Sequence, residues 1–353
     1  MNDEQLMRHA LVLAERGLYS VSPNPMVGCV VVRDGAIIAE GFHERAGEPH
    51  AEIAALRNAD ARGATVYVTL EPCSHQGRTG PCTEAIVEAG VTRAVVAMQD
   101  PNELVDGRGI AALRDAGIEV TTGVLEADAR RLNEKFLWAM THKLPFVLLK
   151  AGMTLDGKLA TVTRESHWIT SEAAREKSLA LREEYDAILA GSGTIKADNP
   201  RLTRRLGLAS GITPWTRVVL DGDGEVSPHA QILGDGSRTI LFTSRPSNYA
   251  GTADLEIVPI EGRADLQSVF GALYERGIRS ILVEGGALLH SEIIRRGLWQ
   301  KMIVFIAPLV VGGAEAPAIL HGEGVSRLTE GYRFRFDRAE FVGGDLMVVA
   351  YPS

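Results

Sequence analysis

The stretch from His50 to Cys82 constrains this chain more than any other. It carries His50, Glu52 and two cysteines, Cys73 and Cys82, each directly behind a proline. The pattern is helical from His50 to about Ala59, a buried strand from Thr65 to Leu70, a polar loop holding both Pro-Cys pairs, and a helix beginning near Thr83. For the histidine and both cysteines to serve one metal, the fold must bring two helix starts and the end of a strand to one point. His50 and Glu52 are two places apart, a spacing that points them to opposite flanks of a helix. Both reach one site only when it lies off the helix N-terminus, with His50 in the cap region. Cys82 also directly precedes a helix, and a helix start favours the thiolate that binds metal.

Three readings of this stretch compete. A packed histidine beside two unrelated thiols leaves unexplained why two of only three cysteines follow prolines in one Gly-rich polar loop. A structural zinc requires a fourth ligand, which His75 could supply. A catalytic zinc takes His50, Cys73 and Cys82 and keeps its fourth position open for water. Glu52, an acid placed beside that water, favours the catalytic reading. The remaining thiol, Cys29, lies inside an apolar strand and reads as a small core residue.

The rest of the chain alternates strands with helices, which makes it α/β. An amphipathic helix opens it, followed by a loop at 22–25, a strand at 27–32, an Asp34-Gly35 turn and a return strand at 37–39. After the cysteine loop come strands at 94–98 and 118–122, separated by a helix ending at Gly117, and one helix from Ala127 to Met140. At 353 residues two domains are expected. The first, residues 1–144, is an α/β/α sandwich that closes before the polar break at 141–145. The second, residues 145–353, opens on a strand at 146–150. It continues with helices at 172–184, 266–276 and 288–296 and strands at 187–190, 217–220, 239–243, 280–283 and 302–306. An antiparallel edge at 332–336 and 346–349 ends it. Gly191-Ser192-Gly193-Thr194 and Gly285-Gly286 follow strands, and the second precedes a helix whose first amides could take an anion. Neither is a full dinucleotide fingerprint.

A net charge of −8 provides no general field for nucleic acid, and 6% aromatic residues provide few stacking surfaces. No apolar run reaches membrane-spanning length, and the N-terminus lacks the basic start of a signal peptide. Cysteines committed to metal rather than disulfides suit a reducing cytoplasm.

His-x-Glu followed by Pro-Cys and a second Cys matches the zinc nucleobase deaminases, in which the glutamate carries protons and is not a ligand. One departure is that eight residues, SHQGRTGP, separate Cys73 from Cys82 where that family usually has two. His75, Arg78 and Thr79 in this insertion are types suited to gripping a phosphate.

The full string EPCSHQGRTGPC, with HAE upstream and AGMTLDGKLA and VEGG downstream, closely resembles the bifunctional deaminase and reductase family of bacterial riboflavin biosynthesis. The resemblance implies a cytidine-deaminase-like first domain and a dihydrofolate-reductase-like second domain. The first would deaminate a phosphorylated ribosylaminopyrimidine with Zn2+; the second would reduce its ribosyl group with NADPH. It implies zinc on His50, Cys73 and Cys82, proton transfer by Glu52, and substrate contacts from Asn24, His43, His75, Arg78, Thr79, Asp100 and Asn102. In the second domain it implies catalytic Lys150, Asp198 and Glu284, with Ser166, Arg182, Leu202, Arg205 and Glu284 on substrate. Gly152, Trp168, Thr194, Asp198 and the backbone of Gly286, Ala287, Leu288, Leu289, His290, Ser291 and Glu292 would take the cofactor. Adjacent Arg204 and Arg205 leave open which one meets the substrate phosphate. The resemblance also implies a homodimer joined through the reductase domains.

Overall fold

A computed structural model of the chain describes residues 1–75, 80–102, 105–209, 213–249 and 254–353. The chain divides into two compact units at the junction of Leu144 and Pro145.

In the first unit, α1 (Asp3–Glu15) starts at a reciprocal cap between Asn2 and Gln5. The β-branched run then forms β1 (Gly28–Arg33), and Asp34-Gly35 turns it into β2 (Ala36–Phe42). There follow α2 (Ala51–Leu56), β3 (Thr65–Val68), α3 (Cys82–Glu88), β4 (Arg93–Val96), α4 (Arg108–Asp115), β5 (Glu119–Thr122), α5 (Glu126–Leu132) and α6 (Glu134–His142). The sheet order is β2-β1-β3-β4-β5, antiparallel through β1 and parallel from β3 to β5.

Alternation along β1 sets the layers. Val30 and Val32 pack with Leu6, Met7 and Ala10 of α1, whereas Cys29 and Val31 pack with Ala51, Ala55 and Ile86 on the other face. Both faces are covered, giving the expected sandwich, with Cys29 in its core. Helix α2 lies so close to β2 that a Cβ on Gly41 would fall 2.6 Å from the Ala51 carbonyl oxygen. That contact seats the helix on which the His-x-Glu pair begins.

The helix expected from Ala127 to Met140 is two helices. Asn133, 2% exposed, accepts from Met26 N at 2.8 Å and donates to Met26 O at 2.9 Å, and this distant bridge occupies the joint.

The second unit contains β6 (Phe146–Thr154), α7 (Glu172–Glu184), β7 (Ala187–Gly191), α8 (Ser192–Asp198), β8 (Thr216–Asp221), α9 (Gln231–Gly234), β9 (Thr239–Thr243), β10 (Leu255–Pro259), α10 (Leu266–Glu275), β11 (Ser280–Val283), α11 (Ala287–Arg295), β12 (Lys301–Ala307), β13 (Phe334–Val342) and β14 (Asp345–Pro352). Nine strands lie in the order β10-β9-β8-β7-β11-β6-β12-β14-β13, parallel up to β12 and antiparallel beyond.

The neighbours β7 and β11 send their chains to opposite sides, one to β8 and the other to β12. Such a divergence opens a crevice at the carboxyl ends of parallel strands, where ligands bind. The sequence reading contains neither α9 nor β10, and two further elements differ from it. Gly191 to Thr194 leads into α8 rather than a simple turn, and the outer strand β13 runs on to Val342 with Phe336 75% and Phe341 80% exposed.

Candidate active sites

In the first unit the ligand atoms of His50, Cys73 and Cys82 all lie within 4.8 Å of one another. His50 is the N-cap of α2 with its side chain free of capping, Cys82 is the first residue of α3, and Cys73 lies in the loop after β3. His50 Nδ1 is 3.2 Å from Cys82 Sγ and 3.6 Å from Cys73 Sγ, and the Cys82 backbone N–H donates to Cys73 Sγ at 3.4 Å. The Cys73 thiol is pulled down to about 4, first by hydrogen bonding with Cys82 and then by His50. The same pairing, with burial, pushes Cys82 up. One thiolate, Cys73, therefore receives the first amide of α3 and lies beside an imidazole, and with Cys82 it makes a donor set that fits Zn2+.

The group holds three side chains among the described residues, and His75 is not one of them; it is exposed. A four-ligand structural zinc through His75 has no support here. Glu52 is 3% exposed, and burial raises its pKa. It also interacts with Cys82, so the acid stands beside the ligands without belonging to them.

Around this centre His43 Nδ1 meets the Pro49 carbonyl at 3.1 Å, which can only accept, so Nδ1 carries the hydrogen. Asn24 Nδ2 then donates to His43 Nε2 at 3.0 Å, and the His43 ring packs edge-on to His50 with centroids 5.6 Å apart. Burial lowers the pKa of His43, keeping it neutral. Asp100 is buried and pushed up to about 6, chiefly by that burial, while its Oδ1 accepts from Asn102 N at 2.8 Å. Arg78 and Thr79 lie outside the described residues.

In the second unit a cavity of about 590 Å³ opens at the crevice. Lys150, Gly152, Ser166, Trp168, Arg182, Thr194, Asp198, Leu202, Arg205, Glu284 and Gly286 all line it. Glu284 accepts from Arg182 Nε at 2.7 Å, Arg182 Nη2 at 3.0 Å and Lys150 Nζ at 3.3 Å. Burial alone would raise its pKa, but the Lys150 and Arg182 charges prevail and hold it at about 2. The resemblance implies Arg182 on substrate, yet much of its guanidinium is engaged by Glu284 and by the Thr203 carbonyl at 3.1 Å. Of the adjacent arginines, Arg204 turns inward, donating to the Arg182 and Tyr185 carbonyls and packing over Trp215, whereas Arg205 is exposed and faces the cavity.

The loop bearing them is tightly held. The carbonyls of Arg201, Leu202 and Thr203 accept in turn from Arg217, Trp215 and Arg182, which maintains Leu202 at a φ of 50°.

The run from Gly286 to Glu292 divides by position. Gly286 N donates to Thr194 Oγ1 at 3.1 Å, and Ala287, Leu288 and Leu289 form the first turn of α11, where amides lack helical acceptors. His290 N is already bonded to the Gly286 carbonyl, the His290 and Ser291 side chains are buried, and Glu292 pairs with Arg296. Glycines beside a helix start at a topological switch fit the phosphates of a dinucleotide.

Two contributors escaped the sequence reading. Arg175 donates to the Thr170 carbonyl at 2.6 Å and lies 4.5 Å over the Trp168 ring. The spacing of Arg175, Ser178 and Arg182, which share one face of α7, was the available signal. Glu71 is the other.

A zinc deaminase unit followed on one chain by a reductase unit built on a largely parallel sheet is the class these two sites define. Residues 1–98 match the cytidine and deoxycytidylate deaminase zinc-binding region, and residues 145–348 match the RibD C-terminal domain. The riboflavin biosynthesis protein RibD of Bacillus amyloliquefaciens is 42% identical over 360 residues, covering 99% of this chain and 96% of that one. The RibD of Escherichia coli K12 is 41% identical, covering 98% of each. A solved structure of Acinetobacter baumannii RibD superposes with a TM-score of 0.92 at 38% identity, covering 99% of each chain. A Thermotoga maritima structure described as a diaminohydroxyphosphoribosylaminopyrimidine deaminase/5-amino-6-(5-phosphoribosylamino)uracil reductase gives 0.88 at 38% identity, again covering 99% of each. The chain belongs to the RibD family of bifunctional riboflavin biosynthesis enzymes, with a zinc deaminase domain and an NADPH reductase domain. No helix among the described residues is long and apolar enough to cross a membrane.

Proposed function

We propose that residues 1–144 deaminate 2,5-diamino-6-ribosylamino-4(3H)-pyrimidinone 5′-phosphate and that residues 145–353 then reduce the ribosyl group of the resulting aminouracil to ribityl. The observation that carries the first step is the convergence of His50, Cys73 and Cys82 beside buried Glu52. His50, Cys73 and Cys82 would hold zinc, which would supply Lewis acidity to a water for attack on the ring carbon that bears the amino group. Glu52 takes a proton from that water and delivers it to the departing nitrogen, so water enters and ammonia leaves. Its raised pKa suits an acid that must both accept and return a proton. Asn24, held by His43, orients the pyrimidine together with Asp100 and Asn102, and the segment from His75 through Arg78 and Thr79 receives the phosphate.

In the reductase step NADPH supplies the hydride. The first-turn amides of α11 with Thr194 and Gly286 hold its phosphates, while Gly152, Trp168 and Asp198 line its path. Lys150, oriented by Glu284, provides the proton that accompanies reduction, and Asp198 completes the catalytic set. Ser166, Leu202 and Arg205 hold the substrate, with Arg205 as the phosphate contact, and Arg182 acts through Glu284. The exposed aromatic side chains of edge strand β13 support association of two reductase domains into a dimer, and cysteines committed to metal rather than disulfides suit work in the cytoplasm.

Glu52→Gln tests the reading. The variant should keep its zinc and its NADPH oxidation on the deaminated intermediate, and lose ammonia release by about 10²-fold or more, the scale of a lost general acid–base. Ammonia release within a few-fold of the unsubstituted enzyme would remove Glu52 from the mechanism.

A further inference from the structure

Glu71 stands between β3 and the ligand Cys73, is 4% exposed, and contributes no atom to the metal group. Its carboxylate instead accepts four backbone N–H groups, two from the loop residues Asp100 and Gly107 and two from the start of α4. Oε2 receives Asp100 at 3.2 Å and Gly107 at 3.0 Å; Oε1 receives Gly109 at 2.8 Å and Ile110 at 3.1 Å. Gly109 and Ile110 belong to the first turn of α4, whose N-cap, Gly107, has no side chain with which to satisfy them. Glu71 therefore caps that helix from elsewhere in the chain, with a charge of the sign its N-terminus favours.

The fit is close as well as polar. A Cβ on Gly109 would lie 1.9 Å from the Pro72 carbonyl oxygen, so the turn Glu71-Pro72-Cys73 rests directly on α4. On its other side the Cys73 carbonyl accepts from Thr83 N at 3.2 Å and Thr83 Oγ1 at 3.3 Å, both in α3. The ligand is thus held between the starts of two helices. The loop bound by Glu71 also carries Asp100, whose own N–H is one of the four donors, and Asn102, which Asp100 holds in turn.

We propose that Glu71 is a positioning residue of the deaminase. Its carboxylate fixes the separation between the zinc ligand Cys73 and the loop bearing Asp100 and Asn102, and so fixes how the pyrimidine sits over the metal. This rests on the function proposed above. A purely structural role would lower stability and leave the folded enzyme's kinetics alone; a positioning role moves substrate affinity and metal affinity together.

Glu71→Gln separates the two, because an amide group then faces some of the four N–H donors. Zinc affinity, read by competition with a chromophoric chelator, should fall about 10-fold or more, as for other residues that orient metal ligands. At saturating zinc the deaminase KM should rise at least about tenfold with a smaller change in kcat, while the reductase KM and kcat of the same chains stay unchanged. Glu71→Asp keeps the charge with a shorter reach, should give intermediate values, and decides the matter if the glutamine variant does not fold. A deaminase KM and zinc affinity within twofold of the unsubstituted enzyme in the folded variant, whatever the melting temperature, would overturn the proposal. Absence of ammonia release from the unsubstituted enzyme would instead overturn the function on which it rests.

Discussion

Replacing Glu284 by glutamine keeps the shape of the reductase cavity and removes one charge. Arg182 and Lys150, with side chains 10% and 18% exposed, would then lack the carboxylate that both now contact. Holding Glu284 at about 2 instead of its ordinary 4.5 corresponds to about 3 kcal/mol in favour of the ionised form, at ~1.4 kcal/mol per pH unit. Breaking a buried pair by removing one partner costs on the order of 3–5 kcal/mol, so the two routes agree in scale. Three of the four tryptophans, Trp168, Trp215 and Trp299, lie in the second unit, and their fluorescence during urea unfolding reports its stability. At pH 7 the midpoint should fall by about 1 M, for a slope of about 2–3 kcal/mol per M.

The pH dependence carries the sharper test. Because the folded pKa is depressed, the contribution is complete above about 4.5 and disappears as pH falls toward 2. The gap between the two proteins should therefore narrow by about 1.4 kcal/mol from pH 6 to pH 3.5. NADPH oxidation should fall sharply while ammonia release is untouched. Equal stability at pH 7, or a gap that does not vary with pH, would refute the electrostatic account of this triad.

Arg205→Ala should raise the reductase KM by about 10- to 100-fold, the loss of a charge-assisted hydrogen bond, whereas Arg204→Ala should lower stability with a smaller KM effect; initial rates over a range of intermediate concentration distinguish them. Asp100, raised to about 6, disfavours the folded state as pH rises from its ordinary 3.8 through that value. Asp100→Asn should accordingly be the more stable protein at pH 7 and lose that advantage below about pH 4, which thermal melts at both pH values would check.

Local signals revealed much of this fold. The apolar runs of β1, β3, β7 and β11 and the amphipathic face of α1 are written in adjacent residues. So is the approach of His50, Cys73 and Cys82, because the helix starts and the loop could be read one by one. Features decided by distant partners were not legible. The joint at Asn133 depends on Met26, the inward turn of Arg204 on Tyr185 and Trp215, and the service of Glu71 on amides from Asp100 to Ile110. Helix α8 was hidden for a local reason, since Ser192 and Gly193 are poor helix formers at its start. The reductase chemistry has no side-chain signature at all: hydride reactivity belongs to the cofactor, and glycine turns alone do not specify it.

Two independent sites on one chain are proposed to act in succession on one pyrimidine ribotide. Ammonia release and NADPH absorbance followed together, with the diaminopyrimidine ribotide as the sole substrate, test this directly. The unsubstituted enzyme should release ammonia first and consume NADPH after a lag. His50→Ala should do neither, yet consume NADPH at the full rate when given the deaminated intermediate. NADPH consumption by His50→Ala on the diamino substrate, or none by the unsubstituted enzyme on the intermediate, would contradict the account.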